Sequence, residues 1–418
     1  MPPERSKPTT PASPRFRVIL FALFLLLTLC RLPEVVIHGR FWAEEGRRFY
    51  VDAARYPWYH VIFLSYAGYM NLSANLAAVA ARHLVPLEYA PRVTFAFAFA
   101  AQISPAILLV TSNAEWLRPR ISLAAALLLL ATAPAAEEVW LNTLHSQFQL
   151  ALCVGLILAL DPEPGIFRKF LLFLAPLYGM AAIIALPLFA ARTIIDRARP
   201  RLIQTLILGA GCAIQLIFFY HHVGGRQVLN VKLLLATFFA KDLALPFLSF
   251  GGSQPIATWL HLSLNQGHLP AAVVITIILA AAATLMLLRR APAAAWWFAI
   301  ASVTIAAVSY YGALFASNDM VEPHLDNRYA FVPEVLFAWA LLAIAASGRG
   351  MARPIAAVVT LWLCVAGVDA YRHPAGMFAS GPDWTSEVAK WRQDPNYSPL
   401  VWPGGIWRIP MPLIAQGF

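Results

Sequence analysis

Residues Arg40 to Tyr56 read RFWAEEGRRFYVDAARY and follow closely on an apolar run, VILFALFLLLTLC, from Val18 to Cys30. Two adjacent carboxylates, Glu44 and Glu45, open the polar stretch, and Phe49, Ala53 and Tyr56 then recur at helical spacing. The pattern predicts an amphipathic helix along a membrane surface with the acids in its first turn, where free backbone amides favour ionised carboxylates. A carboxylate pair fixed there can serve as a general base or hold a divalent cation. A plainer reading stays open: Glu44 with Arg47 or Arg48, and Glu45 with Arg48, have the spacing of surface ion pairs.

Composition says what surrounds this stretch. Of 418 residues, 60% are hydrophobic and 12% charged, with a mean hydropathy of +0.65. Several apolar runs are long enough to cross a bilayer, so the chain reads as an all-α polytopic membrane protein. The net charge of +10 does not indicate nucleic acid, because the arginines sit in short clusters between apolar runs, where they orient a chain in the membrane. Cys30, Cys153, Cys212 and Cys364 lie in or beside apolar segments without a C-x-x-C partner, which fits packing residues.

Residues 1–17 form a basic, Pro-rich tail, expected in the cytoplasm as no small-x-small cleavage site follows the first apolar run. The multi-span membrane domain then runs over 18–370, with 40–69 as its first external loop. Within that loop YPWYHVIFLSYAGYMN supplies rings suited to the headgroup level, Tyr66 and Tyr69 among them. Apolar stretches follow from about Leu72 to Val85, Val93 to Val110, Ile121 to Ala135 and Leu150 to Leu160, several short for a full crossing. Placing Arg118 and Arg120 inside conflicts with counting each of these as one crossing. Between two of them lies EEVWLNTLHSQFQ, residues 137–149, carrying Asn142 and His145; it is either a polar cavity lining or a solvated loop.

Basic residues flank Phe170 to Ala191 on both sides, which implies an even number of crossings, with Pro176, Tyr178 and Gly179 as the break of a re-entrant hairpin; a single span is the alternative. Val231 to Phe250, with Lys232, Lys241 and Asp242, suits an interfacial helix. His221 and His222 have no acidic or Cys neighbour of the kind a metal site needs. Later spans of about Ala271 to Leu288, Ala293 to Phe315, Ala330 to Ala346 and Ile355 to Ala370 leave SNDMVEPHLDNRYAFVP, with His324, Asp326, Arg328 and Tyr329, outside. Residues 371–418 form a small external tail, one helix and a strand with a turn, too small for its own core and expected to cap the external loops.

A first span, an external loop with paired acids ahead of an aromatic, short Tyr/Gly/Pro-rich spans, an Arg-Tyr beside a late span and an external tail together resemble the GT-C superfamily of polyprenyl-phosphate-sugar-dependent glycosyltransferases. The likeness covers the architecture of nearly the whole chain, and its sharp part is Glu44-Glu45-Gly46 with Phe49. It implies a bundle of about 10–12 transmembrane or re-entrant helices in a bacterial inner membrane, with the active site and C-terminus periplasmic. It implies transfer, with inversion, from a polyprenyl-phosphate-linked sugar to a periplasmic glycan or lipid acceptor, and not from a nucleotide sugar. Glu45 corresponds to the catalytic acid with Glu44 beside it. Arg328, Tyr329, Asn142, His145, Tyr66, Tyr69 and His324 are the expected substrate-binding residues, Arg328 at the lipid phosphate with Arg226 or Lys241 as the next cations. Membrane lipids are partners, and a divalent cation is a possible cofactor. A polytopic transporter or lipid flippase is the rival class, recognised by repeated halves and ionisable groups inside spans. No repeat is visible.

Overall fold

The computed structural model describes residues 12–410, except 164, 221–229, 314–316 and the side chain of Tyr220. His221, His222 and Arg226 therefore lie outside the described residues. The chain is an all-α polytopic membrane protein: among the described residues seven helices are long and apolar enough to cross a bilayer. Helices suit that solvent because each satisfies its own backbone hydrogen bonds. Among the described residues the paired strands are only Ser65–Tyr66 and Tyr69–Met70, joined by Ala67 and Gly68 at positive φ. That turn matches the twist of a two-residue hairpin and presents its two tyrosines beside the acid loop.

Arg328–Ser347 is the central helix, packed on Ala293–Tyr311, Ser146–Ala159 and Ala352–Arg372. Ser146–Ala159 is buried along its whole length. It has 14 residues and so is about 21 Å long, short of a hydrocarbon core of about 30 Å. Its N-terminus consequently lies recessed inside the bundle, and the loop feeding it is enclosed. Every residue from 137 to 149 is buried, which overturns the solvated-loop reading.

The apolar run after the acid loop stays at one end of the bundle. Leu72–Leu84 has its start tied to that loop, with Asn75 Nδ2 donating to Ile62 O (3.1 Å) and Leu64 O (2.9 Å), while Ala81 near its end packs with Phe41, Tyr50 and Trp384 of the same end. With this helix removed from the crossings, the conflict over Arg118 and Arg120 disappears. Arg120 sits over the Phe16 ring, and Arg17 donates to Val110 O and Ser112 O, so the basic residues gather at the N-terminal end of the first helix.

Ile166–Tyr178 and Leu186–Asp196 run out and back to one end of the bundle, the folded-back path expected from their basic flanks. Arg168 donates to Asp161 O (2.7 Å), Arg192 to Leu158 O, and Arg201 to Leu160 O (2.7 Å), which brings the outer ends of the hairpin together. Its tip reaches the recessed site level, where a Cβ on Gly179 would collide with Gln147. Val231–Asn265, which continues past the expected helix of Val231 to Phe250, turns back in a similar way. It folds back at Ser249 (φ 56°, ψ −172°), and Lys232 Nζ near its start donates to Gly267 O (2.7 Å) just past its end. A lysine, an aspartate and a bend in one apolar segment are tolerated because the segment returns to the end it came from.

The tail caps the acid loop as expected. Trp384–Gln393 is its helix, preceded by the single turn Gly376–Ala379, and in place of the expected strand there are isolated bridges, Leu400 with Arg408 and Trp42 with Trp402, whose N–H donates to Phe41 O (3.0 Å) and whose O accepts from Ala43 N (2.6 Å). Between tail and loop the Arg40 guanidinium stacks on Trp42 (5.0 Å) and Trp402 (5.2 Å) and donates to Trp140 O (2.6 Å). Gly46 is required by this contact, since a Cβ there would stand 2.8 Å from Val401 Cγ1 and 3.0 Å from Ile409 Cδ1. Gly46→Ala is therefore expected to destabilise the protein by about 1–3 kcal/mol through overpacking, read as a lower Tm in detergent. An unchanged Tm would show that the tail yields without cost.

Candidate functional site

The site lies at the end of the bundle where three loops meet: 40–46, 137–145 and 322–328. Each carries a non-glycine residue in the left-handed region, Ala43 (φ 42°), Leu141 (φ 51°) and Asp326 (φ 56°). Such residues cost roughly 1–3 kcal/mol each and cluster where backbone is held for function. The acid pair leads into a wide helical turn, Glu45–Tyr50, that continues as Val51–Arg55. Wide turns of this kind recur at functional sites. The amphipathic expectation holds in part: Phe49 and Ala53 face inward and Arg47 and Arg48 outward, but Tyr56, the third residue of the expected apolar face, is exposed because the helix ends at Arg55. The surface ion-pair reading does not, because Arg48 pairs with Asp52 (2.8 Å) and Arg47 lies over Trp407.

The two acids have different surroundings. Glu45 is 2% exposed, and both its oxygens are engaged. Oε2 accepts from Trp42 N (2.7 Å), and Oε1 accepts from Thr143 N and Thr143 Oγ1 (2.5 Å each). Burial pushes its carboxyl above the ordinary range, against these hydrogen bonds and Arg40. Glu45 thus stitches the first loop to the polar insertion. Glu44 is half-buried and hydrogen-bonds with the Tyr66 phenol. Burial raises its pKa too, opposed by the Arg328 guanidinium and assisted by Glu138. Of the pair, Glu44 is the acid that faces the charged cluster, although the aromatic spacing favours Glu45.

That cluster centres on Arg328. Its guanidinium pairs with Glu138 Oε1 and, through Nη2, with Asp326 Oδ1 (2.6 Å), while its backbone N–H donates to Glu138 Oε2 (3.1 Å). The Tyr329 ring lies under it at 4.7 Å. Burial alone would raise Glu138, but Arg328 and His145 hold it below the usual carboxylate range, whereas burial leaves Asp326 raised. Three carboxyl groups, those of Glu44, Glu138 and Asp326, thus share one guanidinium. Lys241 does not add a free cation: its Nζ is enclosed by Leu325 O (2.6 Å), Asn327 Oδ1 (2.7 Å) and Glu322 O.

The other expected site residues build the walls. Asn142 Nδ2 donates to Glu138 O (2.8 Å), its Oδ1 accepts from His145 N (2.8 Å), and His145 Nδ1 meets Glu138 O (2.9 Å), a closed set that fixes the carboxylate's backbone. Asn142 and His145 are buried and make no open surface for a ligand. His324 stacks on Phe250 (4.1 Å) and meets Glu137 Oε1 (2.9 Å), while Glu137 Oε2 accepts from Ala375 N (3.2 Å). Glu137 is therefore a clasp between the late loop and the tail. Tyr69 is buried and accepts from Gln147 Nε2 (3.2 Å), whereas Tyr66 is half-exposed beside Glu44. Sequence spacing does not single out Glu138 and Asp326 as site members: Glu138 reaches its partner Arg328 190 positions away, while the available signal for Asp326 was an acid two residues before that arginine. Among the described residues no group of three or more His, Cys, Asp or Glu is disposed to hold a metal ion.

Burial pushes the His145 imidazole down to about 4 from its ordinary 6.5, with Glu138 opposing. The unfolded chain therefore binds a proton between about pH 6.5 and 4 that the folded protein refuses, so stability falls as pH drops through that window. Thermal melts across it should show a steeper fall for wild type than for His145→Asn. Equal slopes would assign the pH dependence to another group.

Compared with known proteins, the chain matches no protein-family model, no curated protein and no solved structure.

Proposed function

We propose that the chain is an integral-membrane glycosyltransferase of the GT-C kind, moving a sugar from a polyprenyl-phosphate donor to a periplasmic glycan or lipid acceptor with inversion. One observation carries this reading: a half-buried carboxyl group of raised pKa, Glu44, stands with a phenol and opposite a fixed guanidinium at one end of a membrane bundle. An acid whose pKa is raised toward the working pH is a better base catalyst, and such help is worth roughly 10²- to 10⁴-fold. In the proposed step Glu44 takes the proton of the acceptor hydroxyl as that oxygen bonds to the anomeric carbon. The bond from that carbon to the phosphate oxygen breaks, and the charge on the leaving phosphate develops near Arg328, whose plane Glu138 and Asp326 fix. Glu45, Asn142 and His145 hold the two loops in register, and Tyr66 orients Glu44.

Orientation follows from charge. Arg17, Arg120, Arg168, Arg192 and Arg201 gather at the end opposite the site, and Arg290 lies against Gly350 in the loop that carries Arg349 and Arg353. The positive-inside rule makes that end cytoplasmic and the site and tail periplasmic, in a bacterial inner membrane. The test is purified protein in detergent with labelled polyprenyl-phosphate sugars and suitable acceptors, the product's anomeric configuration being read by NMR. Transfer with inversion is expected. A transporter or flippase is the second reading, favoured by Asp242 and Glu334 inside apolar helices. No transfer from any donor, together with lipid or solute movement in proteoliposomes, would replace the first reading with the second.

A further inference from the structure

A cavity of about 850 Å³, lined by none of the loop-cluster residues, opens between Ala271–Leu288 and the rest of the bundle. Ala271–Leu288 is the most peripheral of the long helices, with 11% of its apolar window buried, so one wall of the cavity belongs to a helix that stands in lipid. The lining is hydrocarbon and aromatic, including Phe238, Phe247, Trp296 and Phe337. Its acidic groups are Asp242, from the wide turn Phe239–Ala244, and Glu334, from the central helix, and among the described residues no Lys, Arg or His lines it. Tyr310 donates its hydroxyl to Asp242 Oδ2 (2.6 Å), and Glu334 Oε2 accepts from Ala135 N (2.9 Å). Asp242 Oδ1 is buried and has no hydrogen-bond partner.

A carboxylate without a cation at membrane depth is costly, and such groups mark ligand or ion sites when a partner completes them. Among the described residues no cation lines the cavity, and the neighbouring Lys241 turns its ammonium to the loop at 322–327. We propose that the cavity binds an amphiphile with a hydrocarbon chain and a primary ammonium head, the chain entering from the lipid side past Ala271–Leu288 and the head reaching Asp242 and Glu334. A primary ammonium has three N–H donors and no acceptor, which matches a lining that offers two carboxyl groups and a phenol oxygen. The aromatic walls favour a cation further, because ring faces attract positive charge. A lining of carboxyl groups without a Lys, Arg or His side chain offers a phosphate no counter-charge, which sets this site apart from any donor-phosphate site near Arg328.

Photoactivatable dodecylamine, dodecanol and dodecyl phosphate of the same chain length test this on the full chain in detergent. Each is crosslinked and its sites mapped by mass spectrometry. The amine should label peptides 276–288 and 296–310 at least about fivefold more than the phosphate. Asp242→Asn with Glu334→Gln should erase that preference, and Ala280→Trp, which fills the cavity from the lipid wall without touching either acid, should lower labelling by the amine and the alcohol alike. Stronger labelling by the phosphate, or an amine preference unchanged in both the double variant and Ala280→Trp, would overturn the proposal. Labelling by the alcohol equal to the amine would overturn the ammonium head and leave a chain site only.

Discussion

Glu44→Gln should abolish sugar transfer while the protein still folds, with turnover down by roughly 10²- to 10⁴-fold and donor binding little changed. The amide keeps the size of the side chain and a hydrogen bond to Tyr66 but cannot take a proton. Glu45→Gln should behave in the opposite way. Its carboxylate accepts from Trp42 N and from both donors of Thr143, and an amide turns one acceptor into a donor facing another donor. An unsatisfied buried donor costs about 1–3 kcal/mol, so Glu45→Gln should lower Tm and yield while the folded fraction keeps measurable turnover. Paired measurements of Tm and kcat on the two variants separate the roles. A Glu44→Gln enzyme turning over near the wild-type rate would remove Glu44 as the base. If Glu45→Gln alone lost turnover at unchanged Tm, the base would be Glu45. The pH profile gives an independent check, because a base of raised pKa loses activity on the acid side at a higher pH than an ordinary carboxylate would.

The second large effect belongs to Arg328. Arg328→Ala leaves Glu138, 7% exposed at its side chain, without its cation and sets three carboxyl groups against one another. Removing one partner of a buried pair costs about 3–5 kcal/mol, enough to show as loss of folded protein on solubilisation. Arg328→Lys keeps the charge and loses the planar fork that spans Glu138 and Asp326, so it should fold while turnover falls by roughly 10²-fold, as when one preorganised donor to a developing anion is removed. Normal turnover in Arg328→Lys with normal donor affinity would exclude a role at the phosphate. A Tm loss in Arg328→Lys as large as in Arg328→Ala would instead make this arginine wholly structural.

The membrane class, most helix positions and the folded-back path at Gly179 were legible in the chain, because hydropathy and the placing of arginines act locally along the sequence. The acid loop and the small capping tail were legible too, since both contrast with apolar flanks. What one dimension could not supply was depth. Leu72–Leu84 is apolar enough to look like a crossing and yet stays at one end, because Asn75 ties it to the first loop. Residues 137–149 are polar enough to look solvated and yet are buried, because a 14-residue helix draws its own N-terminus into the bundle. Val231–Asn265 carries a turning point at Ser249 that no proline or glycine announces at that residue. Composition and periodicity therefore determined that this protein is a helical membrane bundle with paired acids just after its first helix. Only the tertiary structure decided which acid faces the cluster, that Arg328 is shared between Glu138 and Asp326, and that Asp242 and Glu334 line one cavity. Those are pairings between residues far apart in the chain, fixed by which helix ends reach the same depth.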